Sequence, residues 1–259
     1  MTELSASALK PPTGKPLGTN WPFKVFANPV IALMNIWIKR DWQGSENLPK
    51  SGPVLVVSNH VSYADALILA HYLYGNGRAP RFLGKESLFR APIIGKIIKS
   101  AGQVPVHRES DGASDAITSA VKLLKLGHCL AVYPEGTLTR DENLWPMVAK
   151  TGAARIAVIS RVPVVPVVQW GDHNLIPRYS KKFIFYKRHK VTLIAGKAID
   201  LSKWYGLEED QSAMREATAH IMREITKILE EIRRESAPAT IFDPHKSGLP
   251  RFGNPKKVK

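Results

Sequence analysis

The sequence predicts an α/β fold: a single domain with a central mixed, largely parallel sheet flanked by helices, plus an N-terminal membrane-interface helix. Three observations lead there. Short apolar runs and helix-like segments alternate from Gly52 to about Gly196, the pattern of a largely parallel sheet. A long segment near the end repeats apolar residues at three- and four-residue steps, as a helix packed on a core does. The 259 residues, 44% hydrophobic and 23% charged, suffice to bury a substantial core.

In chain order, residues 1–20 are polar and Pro-rich, which predicts a disordered lead-in and shows neither the basic start nor the apolar centre of a signal peptide. Residues 21–40 read as an amphipathic helix: Phe26, Val30, Leu33 and Trp37 share one face, Lys24, Asn28 and Asn35 another, and Lys39-Arg40 close it. Lys24, Asn28, Pro29 and Asn35 interrupt the apolar run, and a span needs about 20 predominantly apolar residues. The segment therefore suits a membrane interface better than a crossing. The competing reading is an ordinary helix packed on the domain.

Strands are expected at Val54 to Ser58, Arg81 to Gly84, Gln103 to His107, Cys129 to Tyr133, Val164 to Gln169 and Lys190 to Ala195. Helices are expected at Asp65 to Tyr74, Ser114 to Leu126, Gly152 to Ser160 and about Glu208 to Glu235, with Ser87 to Ser100 mixed apolar and basic. Residues 45–235 form the domain, and 236–259, carrying four prolines and a lysine-rich end, read as a basic flexible tail.

Thirty-seven Lys and Arg against 22 Asp and Glu leave a net charge of +15. Such a field attracts nucleic acid, anionic lipid surfaces or phosphorylated small molecules. No aromatic RNA platform, zinc finger or recognition-helix pattern supports nucleic acid. The one cysteine, Cys129, sits in an apolar run and reads as a buried strand residue, without disulfides and in a reducing compartment. The eight histidines show no ligand-like spacing, and no glycine-rich nucleotide loop follows a strand, so neither metal nor cofactor is expected.

Chemistry concentrates in Asn59-His60-x4-Asp65, directly after the first apolar run. A neutral imidazole takes a proton from a hydroxyl, and a carboxylate on its other nitrogen sets the tautomer. Residues five apart on one helix point about 140° away from each other, at roughly 100° per residue. His60 therefore belongs in the strand-to-helix turn, with Asp65 reaching back from the first helical turn. Ser62-x-x-Asp65 equally fits a helix capping box.

Three further segments follow in order: Gly84-Lys85-Glu86-Ser87-Leu88-Phe89 continuing to Val104-Pro105-Val106-His107-Arg108; Tyr133-Pro134-Glu135-Gly136-Thr137 with Arg140 close behind; and Val162-Pro163-Val164-Val165-Pro166-Val167. Together with the His60 segment they resemble the four motif blocks of the 1-acylglycerol-3-phosphate O-acyltransferase family, over roughly Gly52 to Gly196. The resemblance implies direct transfer of a fatty acyl group from an acyl thioester, acyl-CoA or acyl carrier protein, to the sn-2 hydroxyl of lysophosphatidic acid. It assigns His60 as catalytic base and Asp65 as its orienting partner. It implies substrate-binding roles for Lys85 and Arg108, for Glu135, Gly136 and Thr137 toward the acceptor, and for Arg140 toward its phosphate. His107 stands where many relatives carry an acid and receives no role.

The resemblance also implies a peripheral or monotopic enzyme at the cytoplasmic face of the cell membrane, with a membrane lipid as acceptor. A docking surface is expected where Arg78, Arg81, Lys85, Arg90, Lys96 and Lys99 interleave with Leu88, Phe89 and Ile93, Ile94, Ile97 and Ile98. Alternatives are the same chemistry on glycerol 3-phosphate or another lysophospholipid, a basic nucleic-acid-binding protein, and an inactive membrane scaffold.

Overall fold

The computed structural model describes residues 4, 8–92, 94–106, 112–180, 182–244, 246–248 and 254. Its strands are β1 (Ile38–Gln43), β2 (Val54–Val57), β3 (Pro80–Lys85), β4 (Val104–Val106), β5 (Cys129–Val132), β6 (Val164–Trp170) and β7 (His189–Ala195). They form one sheet in the order β1-β7-β6-β2-β5-β3-β4, in which β6–β7 is antiparallel and the other pairs are parallel. Helices α1 (Trp21–Trp37), α2 (Asp65–Gly75), α3 (Glu86–Phe89), α4 (Ile94–Ser100), α5 (Gly112–Lys125), α6 (Gly152–Ser160), α7 (Asp172–Leu175) and α8 (Gln211–Arg233) surround it. The mixed, largely parallel sheet in a single α/β domain is the architecture read from the sequence.

The central strands are apolar throughout because both their faces are covered. Alternate residues divide between two cores. Leu55, Val57, Leu130 and Val132 pack with Leu123 and Leu124 of α5, Ile156 of α6, and Met214, Ile221 and Ile225 of α8. Val54, Val56, Cys129 and Ala131 pack with Ile68, Leu69, Tyr72 and Leu73 of α2. Each fully buried aliphatic side chain contributes about 1.5–3 kcal/mol, so these two layers set the sheet's register. The long helix stops short of its expected bounds. Asp210 caps it, accepting from Ser212 N at 2.7 Å, and Arg234 leaves it in the left-handed conformation.

Several expectations need correction. The helix expected over 21–40 ends at Trp37, and Ile38–Gln43 is the edge strand β1, parallel to β7. Its pairing partner lies some 150 positions away, so nothing local announces it. Within residues 8–20 the lead-in is folded onto the domain: Leu17 N donates to Gly77 O at 2.8 Å, and Ala79 N to Leu17 O at 2.9 Å. Its carbonyls satisfy buried donors. Arg81 bonds Gly18 O, and His128 Nε2 donates to Ala8 O and Lys10 O. Arg78 and Arg81 are accordingly buried and unable to belong to a docking surface. Their guanidinium groups hold carbonyls of Pro49, Gly52 and Ala101. The start of the tail is held too, with Val148 N donating to Phe242 O at 2.9 Å.

Helix α1 buries Phe23 and Met34 and leaves Trp21, Val25, Phe26, Val30, Leu33 and Ile36 exposed. Among the described residues no helix is long and apolar enough to cross a membrane.

Candidate active site

Strand β2 delivers Asn59 and His60 to the carboxyl end of the sheet, where open α/β sheets collect ligands. Asn59 is buried and acts as a brace. Its amide donates to Gln169 O and accepts from Gln169 N, both at 2.9 Å, stitching the end of β2 to β6. His60 O accepts from Thr139 N at 2.7 Å, and His60 N donates to Glu135 Oε1 at 3.1 Å. The backbone of the residue is thus clamped from two sides.

Asp65, at the start of α2, is fully buried and reaches back across the turn. One oxygen, Oδ2, accepts from His60 Nδ1 at 2.8 Å, Val61 N at 2.6 Å and Ser62 N at 2.9 Å. One atom therefore makes both the contact with the imidazole and the backbone bonds that a cap makes. The Ser62 half of a capping box is diverted: its hydroxyl accepts from Ala64 N at 3.0 Å and donates to Ile176 O at 2.6 Å. The His60 side chain stays 20% exposed while Asp65 is 0% exposed, so the acid is sealed and the imidazole can be reached from outside. Tyr133 lies flat on the imidazole, centroids 4.2 Å apart and planes 18° from parallel. This contact fixes the ring plane that the Asp65 bond alone would leave free to rock.

Glu135, expected to meet the acceptor, has both oxygens engaged by the backbone. It is buried, Oε1 on His60 N and Oε2 on Met147 N at 3.2 Å, and it braces the histidine turn. Gly136 has φ +71°, and a side chain there would press on Lys150, 3.3 Å from the place of a Cβ. Thr137 is half-buried beside it. Arg140 is buried, and none of its three side-chain nitrogens has a hydrogen-bond partner among the described residues. A buried guanidinium without an acceptor is costly, and it is a ready site for an anion. Arg178 and Tyr179 lie alongside, Tyr179 Oη donating to Thr139 O at 3.2 Å. Lys85 ends β3, paired with Val106 at the same end of the sheet. Its side chain and the whole of Arg108 lie outside the described residues. Asn59, Tyr133, Arg178 and Tyr179 were given no role from sequence; Asn59 and Tyr133 open two of the motif segments, and strand-end position was the one further signal.

Burial dominates the local electrostatics. It pushes Asp65 up to about 7 against the pull of the Ser62 and Val61 N–H groups, and Glu135 up to about 8. It lowers His71, His128 and His173 to about 4. An unfolded chain releases its carboxyl protons near pH 4 and its histidine protons near 6.5, on the order of the usual values. Between about pH 4 and 6.5 the two sets oppose each other: the carboxyls make stability fall with rising pH, the histidines make it rise. Above about 6.5 only the carboxyl contribution remains, because the folded chain still binds protons the unfolded chain has lost. Melting temperature is therefore expected to fall as pH rises from about 6.5 to 8.5. A rise across that interval in a thermal melt would refute it.

Cys129, fully enclosed in β5, has its thiol pushed up to about 11 by burial, so it offers no thiolate near neutrality. No Ser stands in a Gly-x-Ser-x-Gly elbow. Among the described residues no cluster of three or more His, Cys, Asp or Glu could hold a metal. What gathers here is a His–Asp pair and, next in the chain to the Thr139 that bonds His60 O, a buried guanidinium with no hydrogen bond among the described residues.

A sheet that presents a His–Asp pair in a strand-to-helix turn defines a class, and comparison with known proteins gives it a name. The Acyltransferase family model matches residues 39–170, and the chain belongs to that family. It is similar to a 1-acyl-sn-glycerol-3-phosphate acyltransferase of Bacillus subtilis, 27% identical over 81% of this chain and 100% of that protein. The corresponding enzyme of Borreliella burgdorferi is 29% identical over 78% of this chain and 76% of its own length. A chloroplastic one, BAT2 of Brassica napus, is 36% identical over 55% of this chain, which matches about two fifths (40%) of that longer protein. Among solved structures, the 1-acyl-sn-glycerophosphate (LPA) acyltransferase PlsC from Thermotoga maritima superposes with a TM-score of 0.63 at 25% identity, over 83% of this chain and 80% of the other.

Proposed function

We propose that this chain transfers a fatty acyl group from an acyl thioester to the sn-2 hydroxyl of 1-acylglycerol-3-phosphate, giving phosphatidic acid. The observation that carries the reading is the 2.8 Å contact between His60 Nδ1 and the sealed Asp65 carboxylate, on an imidazole that is itself accessible. Asp65 holds the proton on Nδ1, which leaves Nε2 the basic nitrogen. As the acceptor oxygen attacks the thioester carbonyl, Nε2 takes its proton. The imidazolium is stabilised by Asp65, and the tetrahedral intermediate collapses with loss of the thiolate, which recovers that proton as free thiol. A positioned base accounts for about 10²–10⁴ in rate.

Arg140, whose three nitrogens bond no other described residue, takes the acceptor phosphate, and Thr137 and Gly136 line the approach. Lys85 and Arg108 keep the substrate-binding roles that the family resemblance gives them. The donor is acyl-CoA or acyl carrier protein, and no resident cofactor takes part. The names of the relatives support the lysophosphatidic acid acceptor. The test is thiol release with oleoyl-CoA and lysophosphatidic acid beside glycerol 3-phosphate and other lysophospholipids. Release with glycerol 3-phosphate alone would reassign the acceptor, and nucleic-acid binding without any thiol release would overturn the enzyme reading.

The acceptor already resides in a bilayer, so the enzyme works at a surface, at the cytoplasmic face of the membrane. The outward apolar face of α1 supports this, because a helix merely packed on the domain would bury Phe26, Val30 and Leu33. Arg90, Lys96 and Lys99 are exposed beside exposed Leu88. Each cation close to an anionic leaflet contributes about 1 kcal/mol. Vesicles containing anionic lipid are expected to bind the protein, and raised salt to release it. Equal, salt-indifferent binding to neutral vesicles would remove the electrostatic part.

A further inference from the structure

Asp172 belongs to none of the four motif segments and has no part in the mechanism above, on which the following rests. It is fully buried at the start of α7. That helix is tied to the histidine turn by the Ser62 hydroxyl, which donates to Ile176 O at 2.6 Å, while Ile176 N donates to Asp172 O at 3.1 Å. The Asp172 and Asp65 carboxyls lie within hydrogen-bonding reach of each other. Asp65 Oδ1 and both Asp172 oxygens receive no N–H or hydroxyl donor from any other described residue. Two ionised carboxylates can only accept, and in a dry site such a contact persists only if the pair keeps one proton. Asp65 Oδ2 has three N–H donors to stabilise a negative charge, so the proton rests on the other partner.

We infer that Asp172 is a positioning residue: as a neutral acid it donates its proton to Asp65 Oδ1, keeping Asp65 ionised and its Oδ2 aimed at His60 Nδ1. Asp65 then has donors on both oxygens. The surroundings are consistent with this proton placement. Facing the pair are His60, Tyr133 and Glu135 from the ends of β2 and β5; His173, next to Asp172 on α7, lies toward Arg178 and Arg233 and against Trp170. Burial keeps Tyr133, Glu135 and His173 neutral near pH 7 and pushes Asp172 well above the usual carboxylate range.

The test compares Asp172→Asn and Asp172→Ala in the full chain, with kcat, KM and the pH profile of thiol release from oleoyl-CoA. Asparagine keeps a neutral donor and is expected to remain within about threefold of wild-type kcat, with an unmoved acid limb; alanine should lose about 10–100-fold in kcat, as removal of an orienting partner typically does. In the alanine variant both KM values should stay within about twofold, and the acid limb should move to higher pH, because Asp65 loses the donor that favours its ionised form. Wild-type kinetics for Asp172→Ala would overturn the proposal. So would an asparagine variant as slow as the alanine one, or one whose acid limb moves down, which would mean that Asp172 is ionised.

Infrared spectra give a readout independent of turnover and of whether Asp172→Ala folds. Wild type at pH 7 minus Asp172→Asn should contain the carbonyl stretch of a protonated acid, and its absence overturns the proposal. If that band is present but the intact chain releases no thiol, the acyltransferase reading fails while the shared proton stands.

Discussion

Replacing His60 by alanine is expected to lower thiol release about 10²–10⁴-fold, the usual contribution of a positioned base, while the melting temperature stays within a few degrees. The separation follows from where each partner sits. His60 contributes an exposed ring edge, and Asp65 Oδ2 keeps its bonds to Val61 N and Ser62 N when the ring is gone. Asp65→Ala should behave differently. It removes the orienting acid and also orphans two buried N–H groups, each costing about 1–3 kcal/mol. That variant should be both slow and less stable. The contrast is measured by thiol release and thermal melts on the two proteins side by side. Residual activity of His60→Ala above about a tenth of wild type would exclude it as the base.

The second large effect is expected at Arg140. Arg140→Met should raise the KM for lysophosphatidic acid about 10–100-fold, the equivalent of one or two charge-assisted hydrogen bonds, and leave an uncharged monoacylglycerol acceptor unaffected. Its stability should be unchanged or improved, because an apolar side chain replaces a buried cation that bonds no other described residue. A structural arginine would give the reverse pattern, with a lower melting temperature and equal losses on both acceptors. Steady-state kinetics on the two lipids together with a thermal melt distinguish these outcomes.

The candidate site was legible in proportion to how local its chemistry is. The i, i+5 spacing of His60 and Asp65 placed them across a strand-to-helix turn, and the fold puts them there because that turn is a property of seven consecutive residues. Glu135 was legible as a motif residue, but its partners were not. A carboxylate after a strand looks available, and only packing shows that its two oxygens are taken by His60 N and Met147 N. Arg78 and Arg81 were misread for the same reason. Surface exposure is the ordinary fate of arginine, and the carbonyls that bury these two come from the lead-in and from distant turns. Asp172 stands more than a hundred positions from Asp65, and no spacing rule relates them.

From the amino-acid order alone came the α/β class, most strand and helix positions, the basic charge and the His60–Asp65 pair, because hydrophobic period and turn spacing act over a few residues. Tertiary structure alone decided that Ile38–Gln43 is an edge strand, that the outer face of α1 stays uncovered, and which charged groups are sealed, satisfied or left open. Burial and hydrogen-bond partnership depend on segments brought together from across the chain, and they determine whether a given carboxyl or guanidinium braces the fold or meets a substrate.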